Sequence, residues 1–376
     1  MIIRWRFLAD ILIRALIFLA AANVLFAWIN PMPALGELSL YNRILPGRTR
    51  LPFSAQPDVS NNLTLYNLDA MFASHEIAAI PKPADEFRVV LIGDSSIWGL
   101  LLRDKETRTA LLNARGLTAG GMRVRFYNIG YPTMSSLKDL LLLDRIMDYQ
   151  PDMIMWTITL EALVPAKQIS SSIVAHNPVN TRRLIAEYKL SCDMNDPAFV
   201  DSSFWDRTIF GRRRDLADLI WLQAKGFGWA ATGVDTYIPE QHDRPKNDLT
   251  DETAYRGMEG PQFQPSDLSW DVLDAGREMT EGIPLLVINE PMFRAGGENS
   301  DIRYNSLYPR WAYDRYRTML DEYTRSHGVA YVDLWDAIPA DQFTDAIEHI
   351  TPEAEQVVAQ QIEKAVMMLI KTPEQE

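Results

Sequence analysis

Short, unbroken apolar runs that stop at glycine or start after proline constrain this chain more than any other feature. Arg88-Val89-Val90-Leu91-Ile92 halts at Gly93, and Val124 to Ile129 halts at Gly130. Met153 to Ile158 follows Pro151-Asp152, Leu285 to Ile288 follows Pro284, and Val329 to Leu334 follows Gly328. Runs this short, with no in–out alternation, read as strands buried on both faces. Helical stretches separate them: Ser136 to Met147, Trp311 to Thr324, and Thr351 to Leu369. The last opens with Thr351-Pro352-Glu353, which supplies an N-cap, a first-turn proline and a first-turn acid. Strands alternating with helices imply βαβ units. The expected fold is α/β, a three-layer α/β/α sandwich with about five parallel strands. At 376 residues and 47% hydrophobic content the chain has ample material for its core.

Two regions break the rhythm. Residues 162–265 form a long insertion between strands, within which Leu216 to Ala231 reads as an amphipathic or capping helix. Arg212-Arg213-Arg214 precedes that helix as either a solvated start or a contact for lipid headgroups or an anionic polymer. The other break is the N-terminus. Arg4, Arg6 and Arg14 precede an apolar run, Ala15 to Ile29, broken only by Asn23; counted back to Phe7, the segment is long enough as a helix (about 34 Å) to cross a bilayer core. The arginines place the N-terminus in the cytoplasm and the remainder outside. A cleaved signal peptide is the alternative, but the apolar run continues past Ala20-Ala21-Ala22. The expected division is an anchor over 1–30, a membrane-proximal stalk over 31–86 that ends in the linker Ile80 to Asp85, and the main domain over 87–376.

The formal charge of −13 argues against nucleic acid as a partner. One cysteine, Cys192, permits neither an internal disulfide nor a cysteine-rich zinc site. There is no P-loop, G-x-G-x-x-G or H-E-x-x-H motif, so neither a cofactor nor a metal is expected.

In open α/β sheets, chemistry collects beyond the C-terminal ends of the strands. The first strand leads into Gly93-Asp94-Ser95-Ser96. A serine on such a turn exposes its hydroxyl near the start of the next helix, where backbone N–H groups favour an oxyanion. The last strand leads into a loop, Asp345-Ala346-Ile347-Glu348-His349-Ile350-Thr351-Pro352, that holds an acid and a histidine just before the final helix. A nucleophilic serine needs a base, and the base needs an orienting acid.

These blocks resemble the SGNH/GDSL hydrolase family, over residues 87–160 and 280–370. The resemblance implies a flavodoxin-like sheet, with Ser95 as nucleophile and its own N–H as one oxyanion donor. It implies His349 as base and Asp345 as orienter. Asn128-Ile129-Gly130-Tyr131-Pro132-Thr133 resembles the family's second block, which implies a backbone donor at Thr133, or alternatively at Gly130. Two departures stand out. Three residues separate Asp345 from His349 where the family has two, which makes Glu348 a competing acid. Glu161 occupies the place of the family's oxyanion-hole asparagine, and it donates a hydrogen bond only if protonated; Thr159 is a substitute donor. Asn289-Glu290 follows the fourth strand toward the same rim, and Asp301, Arg303, Tyr304 and Asn305 are candidates to line a groove.

Together these readings give a membrane-tethered serine esterase or O-acyltransferase. Its expected partners are the bilayer and an acylated carbohydrate or other ester, with glycan export or modification machinery as a further partner. The competing class is a non-catalytic glycan-binding or assembly scaffold, which Glu161 favours.

Overall fold

The computed structural model describes residues 5–45, 47–79 and 81–371. Arg4 and Ile80 lie outside them. A six-stranded sheet has the order β2-β3-β1-β4-β5-β6. Its strands are β1 (Glu86–Ile92), β2 (Thr118–Ala119), β3 (Met122–Asn128), β4 (Met153–Ile158), β5 (Leu285–Asn289) and β6 (Ala330–Asp333). All neighbours are parallel except β2, which pairs antiparallel with β3 at the edge. That edge hairpin has no counterpart among the apolar runs. Its signature is Gly120-Gly121, both at positive φ (56° and 85°), as a two-residue hairpin turn demands.

Burial explains which runs became central strands. Every residue of β4 is buried, and β1 is buried from Val89 onward. β6 is only half-buried, because it is the opposite edge of the sheet. Helices cover both faces. Ser136–Ile146 packs on Trp270–Met279, and Arg108–Asn113 packs on Pro352–Lys371. The last pair is also joined by a buried two-pronged ion pair, Arg108 to Glu355, at 3.0 and 2.9 Å. Register aligns the strand ends: Leu91 faces Asn128, Ile92 faces Trp156, and Ile158 faces Asn289. The loops that follow β1, β3 and β4 therefore emerge side by side.

Residues ahead of β1 share the main core, to which Leu51, Leu65, Met71 and Phe72 contribute. The insertion contributes Leu184, Leu222 and Phe263. A buried charge network joins the two regions. Asp235 accepts from Arg48 at 2.9 Å, Arg50 at 2.6 Å and Asn62 at 2.9 Å. Arg50 also reaches Asp104 at 2.7 Å and the Gly99 carbonyl at 2.9 Å. Removing one partner of a buried ion pair strands the other's charge. Asp235→Ala is therefore expected to cost about 3–5 kcal/mol, read as a lowered denaturant midpoint with unchanged slope.

The N-terminal helix runs Trp5–Ile29, about 38 Å at 1.5 Å per residue, with mean hydropathy 2.1 over its most apolar window. It is long and apolar enough to cross a membrane, and only Ala27 is buried by the rest of the chain. Asp10 and Arg14 pair one turn apart at 3.0 Å. The helix stops at Asn30, whose φ of 49° is left-handed, followed by Pro31.

Candidate active site

β1 delivers Gly93 and then Ser95, the first residue of the short helix Ser95–Trp98. Glycine is required at 93, since a Cβ there would sit 2.7 Å from Ile97 Cγ1 and 3.1 Å from the Thr157 carbonyl. Asp94 caps the helix by accepting from the Ser96 N–H at 2.8 Å. Its carboxylate therefore serves the turn. Ser95 is left half-exposed at the helix start.

The loop after β6 brings the histidine to that serine. Ser95 Oγ donates to His349 Nε2 at 2.7 Å, and His349 Nδ1 donates to Asp345 Oδ1 at 2.8 Å. For Nε2 to accept, Nδ1 must carry the hydrogen. The three-residue separation fits because the loop is pinned at its neck. Phe343 bridges Ile350, and the Thr344 N–H donates to the His349 carbonyl at 2.9 Å. Thr344 Oγ1 also steadies Asp345 at 3.1 Å.

Glu348 lies on the other side of the imidazole, 3.7 Å from Nε2, so it does not orient Nδ1. Burial pushes its carboxyl up to about 7, with the Asp94 charge adding to the rise and His349 opposing it. Burial disfavours the His349 cation. The Asp345 hydrogen bond and the charges of Glu348, Asp345 and Asp94 outweigh that and hold its pKa above the ordinary histidine value. For Asp345 burial favours the neutral acid, but the hydrogen bond and charge of His349 prevail and keep it ionised.

The second block separates its two candidate donors. The Gly130 N–H is taken by Asn128 Oδ1 at 3.0 Å, and Gly130 packs so closely that a Cβ would meet Trp98 N at 2.6 Å. Gly130 therefore has a packing role, and the oxyanion alternative placed on it is corrected. The N–H groups of Ser95 and Thr133 have no acceptor among the described residues. Thr133 has φ 106°, a conformation that a β-branched residue adopts only under strain. This is where the family resemblance puts a glycine. Thr133→Gly releases that strain but gives up the hydrogen bond between Thr133 Oγ1 and Ser171 Oγ at 2.8 Å, so stability is expected to change by less than about 1 kcal/mol with kcat nearly unchanged, measured by denaturation and steady-state kinetics on the same preparation.

The third block does not supply a side-chain donor. Glu161 is buried, and its carboxylate accepts from Arg256 at 2.7 Å and Tyr255 at 2.8 Å and pairs with Lys167. Burial favours the neutral acid, but those hydrogen bonds outweigh it and lower the pKa. The protonated-donor route is thus closed, and Thr159 Oγ1 is engaged with the Tyr308 hydroxyl at 3.1 Å.

The remaining rim residues have structural partners. Asn289 donates to Asp333 at 2.9 Å and accepts from Tyr313 and Tyr316. Glu290 accepts from Ser96 Oγ. Burial and the neighbouring Asp94 drive its pKa well above the ordinary range. Arg303 donates to the carbonyls of Asn305, Ser306 and Glu252, Tyr304 donates to Asp314, and Asn305 donates to the Phe293 carbonyl. These three brace a loop, and Asp301 makes no hydrogen bond or ion pair with Ser95, His349 or Asp345 among the described residues.

One pair escaped the reading of the sequence. Lys138 is wholly buried and donates to the Gly93 carbonyl at 2.6 Å and the Tyr131 carbonyl at 2.8 Å, beside Asp139 at 2.6 Å. It thereby ties the turn before Ser95 to the turn before Thr133. The available signal was Leu140-Leu141-Leu142-Leu143: a helix apolar all round is buried, and its lysine must find partners inside.

No family model matches the chain, and no curated protein matches it. Among solved structures it is similar to a lipolytic protein of the G-D-S-L family from Veillonella parvula (11% identity, 76% of this chain, 99% of that one, TM-score 0.36). It is also similar to a carbohydrate acetylesterase family member from Sinorhizobium meliloti (10% identity, 76% and 100%, TM-score 0.35). A third is an extracellular lipase from Streptomyces rimosus (13% identity, 74% and 99%, TM-score 0.35).

Proposed function

We propose that this chain is a serine carboxylic-ester hydrolase of the SGNH/GDSL type, held at a membrane by its N-terminal helix with the α/β domain on the extracytoplasmic side. The observation that carries the reading is the unbroken relay from Ser95 Oγ through His349 to Asp345, at 2.7 and 2.8 Å. Ser95 Oγ bonds to the ester carbonyl carbon while its proton passes to His349 Nε2. The carbonyl oxygen gathers charge opposite the N–H groups of Ser95 and Thr133. Collapse expels the alcohol, which takes the proton from His349, and leaves an acyl-serine. Water, deprotonated by the same imidazole, then releases the acid and returns a proton to Ser95. A sugar hydroxyl in place of that water gives acyl transfer.

The substrate class assigned is the O-acyl ester of an extracytoplasmic glycan. Its support is the N-terminal helix, long and apolar enough to cross a bilayer and with Arg4 and Arg6 at its start, which in this reading holds the domain beside the surface glycans. Export or modification machinery is the natural setting for such an editor.

A second reading, a non-catalytic glycan-binding scaffold, has one observation in its favour. The ionised Glu161 leaves the oxyanion to two backbone donors, and one missing donor costs roughly 100- to 1000-fold in rate. A serine-directed fluorophosphonate on the full-length, membrane-embedded protein separates the two. The esterase is labelled, and Ser95→Ala is not. Folded wild-type protein that stays unlabelled would establish the scaffold instead.

A further inference from the structure

The helix Arg213–Thr232 is apolar on both of its faces. Leu222, Gly226 and Trp229 are buried against the domain. The opposite stripe, Ala217, Ile220, Trp221, Ala224 and Phe227, faces outward, with Ile220 71% and Trp221 59% exposed. The helix also carries Asp218, Gln223 and Lys225, so the outward stripe is a separate exposed apolar surface of the kind that marks an interaction site, and its surroundings name the occupant.

Three observations identify it. First, the segment leading into this helix touches the apolar N-terminal helix: the Phe210 N–H donates to Asn23 Oδ1 at 3.0 Å. Asn23 lies six residues before the end of that helix, about 9 Å along its axis, so Phe210 sits level with its last two turns. Second, the chain just beyond the N-terminal helix exposes Leu38, Leu40 and Ile44, and it is tied to the outward helix by Gln223, which accepts from the Leu40 N–H at 2.8 Å. Third, arginines gather where aromatic side chains emerge. The Arg213 guanidinium lies 4.7 Å over the Phe210 ring, and Arg214 is exposed beside it. Aromatic rings with cations alongside suit the headgroup level of a bilayer.

We propose that the outward face of the Arg213–Thr232 helix lies in the headgroup–acyl boundary of the same phospholipid bilayer that the N-terminal helix crosses. The domain is then seated on the membrane as well as tethered to it. Trp229, on the buried side of this helix, donates to Asp104 at 3.0 Å, and Asp104 holds Arg50, which holds the Gly99 carbonyl next to the Ser95 helix. The seating therefore fixes how the reactive serine is presented to the membrane surface.

The inference rests on the N-terminal helix spanning the bilayer, and the experiment keeps the two apart. Nitroxide labels are placed by Ile220→Cys, Ala224→Cys and Phe18→Cys in a Cys192→Ser background. The full chain is reconstituted in phosphatidylcholine–phosphatidylglycerol nanodiscs, and collision rates with oxygen and a water-soluble nickel chelate are measured. Lipid contact shifts the ratio toward oxygen at all three positions, with 220 and 224 shallower than 18. A lipid-like ratio at 18 with a water-like ratio at 220 and 224 overturns the seating and leaves the span intact. Protection from both reagents at 220 and 224 means a protein occupant and overturns it as well. A water-like ratio at 18 removes the span itself.

Discussion

His349→Ala is expected to lower kcat by roughly 10⁶-fold, and Asp345→Asn by roughly 10⁴-fold, by analogy with what the loss of a base or its orienter costs elsewhere. The asparagine variant keeps the loop but turns the imidazole to the wrong tautomer. Glu348→Gln behaves differently, because Glu348 lies at the Nε2 edge of the ring and does not touch Nδ1. Its kcat is expected to stay within about tenfold, while the pH profile moves. In the proposed mechanism His349 works as a base only when neutral, and surrounding carboxylates hold its pKa above the ordinary histidine value of 6.5. Activity should therefore fall on the acid side with an apparent pKa above that value. Removing the Glu348 charge removes one source of cation stabilisation, so the acid limb shifts to lower pH. Glu348 itself titrates near 7, so the limb in the wild type belongs to the pair and is broader than a single ionisation. Stopped-time ester hydrolysis across pH 5–9 reads both effects. An Asp345→Asn loss no larger than that of Glu348→Gln would reassign the orienting acid.

Lys138→Met should damage both stability and rate. The side chain holds the Gly93 and Tyr131 carbonyls at 2.6 and 2.8 Å, and its loss leaves Asp139 buried without its cation. Breaking a buried pair costs about 3–5 kcal/mol. Burial already pushes Asp139 up to about 6, and losing the lysine raises it further. A carboxyl whose folded pKa exceeds its unfolded value loses stability as pH rises, so the deficit deepens from acid toward neutral pH. The double variant Lys138→Met/Asp139→Leu removes both charges and should recover most of the stability. It should not recover kcat, expected to remain about 100-fold down, because the two turns are no longer tied. Full recovery of kcat would reduce Lys138 to a core-packing residue.

The difference between Lys138 and Ser95 illustrates what a linear reading reaches. Gly93-Asp94-Ser95-Ser96 advertises itself locally, since it follows an apolar run and needs a turn. Lys138-Asp139 has the look of an exposed pair at a helix start, and only the run Leu140 to Leu143 beside it hints that the helix is enclosed. Arg48, Arg50 and Asp235 carry no local signature, because their partners are more than 180 residues apart. Thr133 is a similar case: its place in the block is visible in the chain, its positive φ is not. The two-residue strand β2 is too short to show a burial pattern, and only its Gly-Gly turn marks it.

By itself the order of residues determined the α/β class and the central strands, because a strand covered on both faces must be continuously apolar and must stop where the chain turns. It also determined that an apolar helix precedes the domain. Only the tertiary structure decided which carboxylate meets Nδ1, that Glu161 is an ionised partner of Arg256 and Lys167, and which side of the Arg213–Thr232 helix is left uncovered. Hydrophobic periodicity is a local property of the chain. Hydrogen-bond partners and uncovered faces depend on the register that aligns distant strand ends, and no short stretch of sequence contains it.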